Sequence, residues 1–200
     1  MTDKNTKHKN SMEKLKSKVD SHIAQATEER GILLLLTGDG KGKSSSAFGM
    51  VMRSLGYGHQ VGIVQFIKGK QKSGEELFIQ EHFPDVFFHQ MGTGFTWNTQ
   101  DREADIEAAE KTWEYALACL QNPDLRLVVL DELTYMIAYK YLDEAKVLTA
   151  LENRPEHQTV VVTGRGGGSS LRTIADTVSE VNSIKHAFQA GIKAREGVDF

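Results

Sequence analysis

The sequence predicts an α/β fold, a mostly parallel central sheet flanked by helices, and three observations predict it. From Gly31 onward, short branched runs alternate with amphipathic stretches, the pattern of strand–helix layering. Several of the short runs are rich in Val, Ile and Leu without polar alternation, as strands covered on both faces are. A glycine-rich loop joins the first run directly to the first helical stretch, an arrangement that places backbone N–H groups at a helix N-terminus.

The elements follow in chain order. Residues 1–30 form a polar leader with Lys4, Lys7, Lys9, Lys14, Lys16, Lys18 and Arg30 against five acids, and the first ten read as disordered. Met12, Leu15, Val19, Ile23 and Ala26 then recur every three or four positions, which predicts a weak amphipathic helix. That helix is either solvated or docked over a site or on a partner subunit, so the leader is read as partly disordered or a capping helix. Ile32–Leu36, Val61–Phe66, Val86–Gln90, Leu127–Leu130 and Thr159–Val162, bounded by Gly, Asp or Asn, predict five strands. A helix is expected from Ser44 to Leu55, where Gly56 and Gly58 stop it. The longest spans Asp101 to Leu120, with Asp101, Glu103 and Asp105 early and Ile106, Ala109, Trp113, Ala116, Leu117 and Leu120 as its apolar stripe. Further helices are expected over Asp143–Leu151 and from about Ser170, after the Gly166–Gly168 cluster. Residues 31–200 thus read as one domain.

Composition excludes several functions. With 40% hydrophobic and 26% charged residues among 200, the chain is ordinary globular material and folds without staples. The net charge of −3 argues against a nucleic-acid partner. The single cysteine, Cys119, excludes an internal disulfide framework and reads as a buried or half-buried thiol. The histidines show no zinc-like pairing. No apolar run approaches the ~18–20 residues of a membrane span, and the lysine-rich start lacks the apolar stretch of a secretory signal. The expectation is a soluble, cytoplasmic protein.

The strongest chemical signal is Thr37-Gly38-Asp39-Gly40-Lys41-Gly42-Lys43-Ser44-Ser45. Between a strand and a helix, such a loop cradles phosphate: glycines let backbone N–H groups converge, and the helix end adds partial positive charge. Lys43 supplies a point charge and the Ser44 hydroxyl a ligand for Mg²⁺. This is the P-loop of RecA-like nucleotide-binding folds, with one irregularity. Counting back from Gly42, the usual first glycine falls on Thr37, while Gly38 leaves only three residues between. The loop therefore closes more tightly, or it begins with a residue that resists left-handed backbone geometry.

A second half-site is Leu127-Val128-Val129-Leu130-Asp131-Glu132. Acids at the carboxyl end of a buried strand reach the ligand crevice of open α/β sheets, so Asp131 or Glu132 holds Mg²⁺ opposite Ser44. Arg165, after Thr163-Gly164, reaches phosphate or makes a surface salt bridge.

These residues resemble the P-loop-type ATP:corrinoid adenosyltransferases. The resemblance is carried by Gly38–Ser44, Val64-Gln65-Phe66-Ile67-Lys68-Gly69, Gly92-Thr93-Gly94-Phe95-Thr96-Trp97 and Val129-Leu130-Asp131-Glu132-Leu133-Thr134-Tyr135. Thr163-Gly164-Arg165-Gly166, Ala175-Asp176-Thr177-Val178-Ser179-Glu180 and Lys185-His186-Ala187-Phe188 extend it over about residues 30–200. It implies transfer of the 5′-deoxyadenosyl group of ATP to the cobalt of a reduced corrinoid, cob(I)alamin or cob(I)yrinic acid a,c-diamide, with release of triphosphate, in adenosylcobalamin biosynthesis or salvage. It also implies Mg²⁺ (or Mn²⁺), a homodimer, a transient electron donor such as a flavoprotein, and a triphosphate lying in the reverse of the usual direction. By resemblance, Gly38, Asp39, Gly40, Lys41, Gly42, Lys43, Ser44 and Ser45 bind ATP, and Ser44 with Glu132 ligate the metal. Lys43 serves catalysis, and Phe95 and Trp97 crowd the lower cobalt face, although the residues alone also allow both aromatics a place in the core. Gly167-Gly168-Ser169-Ser170 depart from a charged stretch in the family pattern, so no role is carried over to them.

Two other classes remain to be weighed. A conventional P-loop ATPase or kinase would use Glu132 to polarise an attacking water or hydroxyl. A regulatory module would bind ATP without turnover.

Overall fold

The computed structural model describes residues 2–67, 72–92, 101–166 and 168–199. Its centre is a six-stranded sheet: β1 (Leu33–Thr37), β2 (Gln60–Gln65), β3 (Phe87–Gln90), β4 (Leu125–Asp131), β5 (Thr159–Thr163) and β6 (Thr177–Glu180). The order is β3-β2-β4-β5-β1-β6 and every neighbouring pair is parallel. All six carboxyl ends therefore lie along one edge. The five expected strands are present, and β6 is an addition; its four residues are all exposed, so it offers no apolar run to read.

The helices are α1 (Thr2–Gln25), α2 (Lys43–Gly56), α3 (Gly74–His82), α4 (Arg102–Gln121), α5 (Leu133–Ala138), α6 (Glu144–Glu152) and α7 (Ser169–Ile174). Period-two alternation divides the strands between two cores. Leu36, Val61, Ile63, Leu127, Val129 and Val161 pack with Ala47, Phe48 and Val51 of α2 and Ile79 of α3. Leu33, Leu35, Val64, Val128, Leu130, Val160 and Val162 face α4 to α7 through Trp113, Met136, Val147 and Leu171. Gly62 keeps this second face open for α4, since a Cβ there would stand 3.0 Å from Cys119 Sγ. Cys119 is buried, and burial pushes its thiol up to about 12, which keeps it protonated and inert.

The leader differs from its expectation in one respect. The helix begins at Thr2 rather than near Met12, so residues 2–10, whose composition predicts disorder, are helical. Lys and Glu are good helix formers, and Lys9 and Glu13 form an i,i+4 pair at 3.9 Å. Residues 4–30 are exposed throughout. The chain enters the sheet at Gly31, whose N–H donates to Glu156 O at 2.7 Å and whose missing side chain would lie 2.2 Å from Gln158 O. Asp176 fixes the same junction: its carboxylate accepts from Arg30 at 2.6 Å and from the Leu33 N–H at 2.7 Å. Among the described residues no helix is long and apolar enough to cross a membrane.

Candidate functional site

The glycine loop leaves the end of β1 and turns at once into α2. Thr37 is the last residue of the strand, buried, with its hydroxyl donating to Gly166 O at 3.1 Å. Gly38 makes the turn at φ 98° and Gly42 caps the helix at φ 119°, positions where a side chain would be strained. The loop thus takes the tighter of the two forms the spacing allows, with Thr37 extended in the sheet. The first turn of α2 holds no acidic residue, which leaves its positive dipole end unopposed.

The loop is backed by the segment that follows β6. The Gly40 N–H donates to Val181 O at 2.7 Å, so that amide is engaged within the protein. A Cβ at Gly38 or Gly40 would stand 2.5 Å or 2.8 Å from Val181 O; both glycines are required by this close backbone approach. Lys43 is 6% exposed and its Nζ donates to Gly40 O at 2.8 Å. Burial pulls its ammonium below the ordinary lysine value, and the charge of Glu132 opposes part of that effect. Ser44 is half-buried, while Asp39, Lys41 and Ser45 are exposed. Lys41 pairs with Asp199, whose carboxyl is held below its usual value by the Lys41 hydrogen bond and then by the Arg195 N–H.

Across the crevice, β4 ends in the two acids. Asp131 is 1% exposed; one oxygen accepts from Gln65 Nε2 at 2.8 Å and the other from Thr163 Oγ1 at 2.6 Å. Glu132 caps α5 in the left-handed region, φ 59° and ψ 21°, and donates its N–H to Thr163 Oγ1 at 3.0 Å. Its charge is felt by Lys43 and by Tyr135, whose phenol is raised first by burial and then by Glu132. Arg165 is exposed, and its charge also reaches Lys43.

Lys43, Ser44, Asp131, Glu132 and Arg165 therefore share one sheet edge. Phe95, Trp97 and Gly167 lie outside the described residues. The network residues Gln65 and Thr163 carry no role in the sequence reading. Both lie within the family motifs, but their chemical signal is only a polar residue closing a buried apolar strand, where a strand end and a functional end look alike.

The donor set suits a hard cation. Ser44 offers a hydroxyl and Glu132 a carboxylate beside a phosphate loop, the oxygen donors that Mg²⁺ takes together with substrate phosphates. Among the described residues no group of three or more His, Cys, Asp and Glu is placed to hold a metal ion.

Comparison with known proteins bears on this geometry. A family model described as ATP:corrinoid adenosyltransferase BtuR/CobO/CobP matches residues 29–200. The chain is 52% identical over 198 residues to the corrinoid adenosyltransferase of Pseudomonas aeruginosa, covering 99% of this chain and 98% of that one. It is 51% identical over 188 residues to corrinoid adenosyltransferase CobA of Salmonella typhimurium, covering 94% and 95%. Among solved structures, flagellar accessory protein FlaH from Methanocaldococcus jannaschii shares the fold, with a TM-score of 0.51 at 12% identity over 76% of this chain and 71% of that chain.

Proposed function

The chain belongs to the ATP:corrinoid adenosyltransferase family, and from that premise we propose how its residues carry the transfer of the adenosyl group of ATP to a corrinoid. The observation that carries the reading is the glycine loop at the end of β1 facing Glu132 at the end of β4, within a chain that matches the family over residues 29–200.

Reduced cobalt is itself the nucleophile. Its electron pair forms the bond to C5′ of the ribose, the C5′–O bond breaks, and that oxygen leaves with the triphosphate. No general base is required. The protein contributes positioning and stabilisation of a highly charged leaving group. Lys43, held against the loop by Gly40 O, is poised to exchange that carbonyl for a phosphate oxygen. The loop amides other than that of Gly40 and the α2 N-terminus add partial positive charge. Ser44 and Glu132 are the residues to hold Mg²⁺ (or Mn²⁺), which when bound neutralises phosphate charge. Asp131, with both oxygens already accepting hydrogen bonds, anchors the turn. Phe95 and Trp97 belong to the proposal as the aromatics that crowd the cobalt; their removal should slow turnover from cobalt(II) far more than from pre-reduced cobalt(I).

The same proposal takes residues 31–200 as the transferase domain and 1–30 as its leader, supported by the change from exposed to buried chain at Gly31. It includes a homodimer, supported by the uncovered stripe Met12, Leu15, Val19 and Ile23 on α1, a flavoprotein electron donor and a cytoplasmic setting. The test is incubation with ATP, Mg²⁺ and chemically reduced cobalamin. The expected outcome is a cobalt–carbon spectrum with unbroken triphosphate, formed only when corrinoid is present. Release of phosphate or diphosphate without corrinoid would point to an ordinary ATPase or kinase instead.

A further inference from the structure

We infer that Thr163 is a positioning residue for the transfer, acting through Glu132; the inference deepens the function proposed above and rests on it. Thr163 closes β5, is fully buried, and lies between the two acids at the end of β4. Its hydroxyl has one proton to give. Asp131 as a carboxylate only accepts, so the proton goes to Asp131 Oδ1 at 2.6 Å. The hydroxyl's lone pair is then left to face the Glu132 N–H, at 3.0 Å. Gln65, also fully buried and the register partner of Asp131, takes the other carboxylate oxygen at 2.8 Å. Asp131 cannot swing away, so the direction of the Thr163 hydroxyl is fixed from behind.

That direction matters because of the Glu132 backbone. A non-glycine residue at φ 59° persists only where its surroundings over-determine it. The Thr163 acceptor supplies such a constraint, in front of the first turn of α5. A reciprocal stitch runs the other way: Thr134 Oγ1 donates to Arg165 O at 3.0 Å. Gly164, at φ 143°, makes room for it, since a Cβ there would lie 2.0 Å from Thr134 Oγ1. Two threonines thus clasp the ends of β4 and β5 together. They set Glu132 and Arg165 in the crevice, where both charges reach Lys43.

Thr163→Val keeps the side-chain shape and removes the hydroxyl. Loss of an outer-shell partner of this kind typically costs about 10–100-fold in metal affinity or activity. The expected result is a kcat lowered by about that factor, a KM for ATP changed by less than about threefold, and weaker Mn²⁺ uptake by the ATP complex. That uptake is read by electron paramagnetic resonance without corrinoid. Thr163→Ser, which restores the hydroxyl, should return kcat to within about threefold of the parent protein. If Thr163→Val does not fold, Thr163→Cys, with its weaker hydrogen bonding, takes its place and should fall between the two. A valine variant with unchanged kcat overturns the inference, as does failure of serine to rescue. A parent protein that turns over but takes up no Mn²⁺ with ATP overturns the metal assignment of the proposed function; the kcat split and the serine rescue still decide Thr163.

Discussion

Two helices of this protein carry the same sequence signal and meet opposite fates. In α4, Ala109, Trp113, Ala116 and Leu120 repeat every three or four residues and are at most 1% exposed. In α1, Met12, Leu15, Val19 and Ile23 repeat at the same spacing and are 44% to 66% exposed. The spacing forecasts a helix in both cases, because it describes one face of a 3.6-residue turn. It does not forecast burial, which needs a second surface. The α4 stripe has the sheet face made by Val64, Val128 and Leu130, whereas the α1 stripe stays exposed within one chain. Hydrophobic periodicity in a leader is therefore a statement about shape, and its stabilising value depends on what covers it.

The largest expected effect tests the buried half of that contrast. Trp113→Ala removes the largest fully buried side chain among the described residues and its contact with Phe66. The expected cost is about 4 kcal/mol, seen as a melting temperature lower by on the order of 10 °C. A loss below about 1 kcal/mol would erase the difference between the two helices.

Next comes Lys43, a buried charged group that the proposed function assigns to the triphosphate. Lys43→Met fills a similar volume without the charge. We expect kcat for adenosyl transfer to fall roughly 100-fold or more while the melting temperature moves little. Equal loss of stability and activity would class Lys43 with the core.

The joint between the two regions gives a smaller, pH-dependent effect. Asp176 is held below the ordinary aspartate value of 3.8, first by the hydrogen bond from Arg30, with the Leu33 N–H assisting. A depressed folded value means that the stabilisation is present above the unfolded value and disappears as pH falls through the folded one. The Arg30 side chain is 41% exposed, so solvent screening keeps the contribution of the pair small. Urea midpoints of the parent protein and Asp176→Asn should differ at neutral pH and converge below pH 3.8. A gap that widens on acidification would contradict the pairing.

The smallest effect completes the comparison. Val19→Ala in α1 should change stability by less than about 0.5 kcal/mol, measured at a concentration low enough to keep the chain monomeric. A drop as large as that of Trp113→Ala would mean that α1 is covered in solution.

The sequence by itself determined the local parts. Branched runs such as Ile32–Leu36 and Thr159–Val162 specify strands, and the glycines before Lys43 specify a phosphate loop, because each is encoded by neighbours along the chain. The family motifs extended that reading to the transfer of an adenosyl group. What only the tertiary structure decided is which neighbours these groups meet. Gly40, counted with the phosphate-binding residues, spends its amide on Val181. Asp131, paired with Glu132 as a metal candidate, is clamped by Gln65 and Thr163, and Lys41 meets Asp199. These partners lie far away in sequence, at strand ends for Asp131 and in the segments that follow β6 for Gly40 and Lys41. A hydrogen bond between strands depends on sheet order and register, and no pattern within a single segment encodes either.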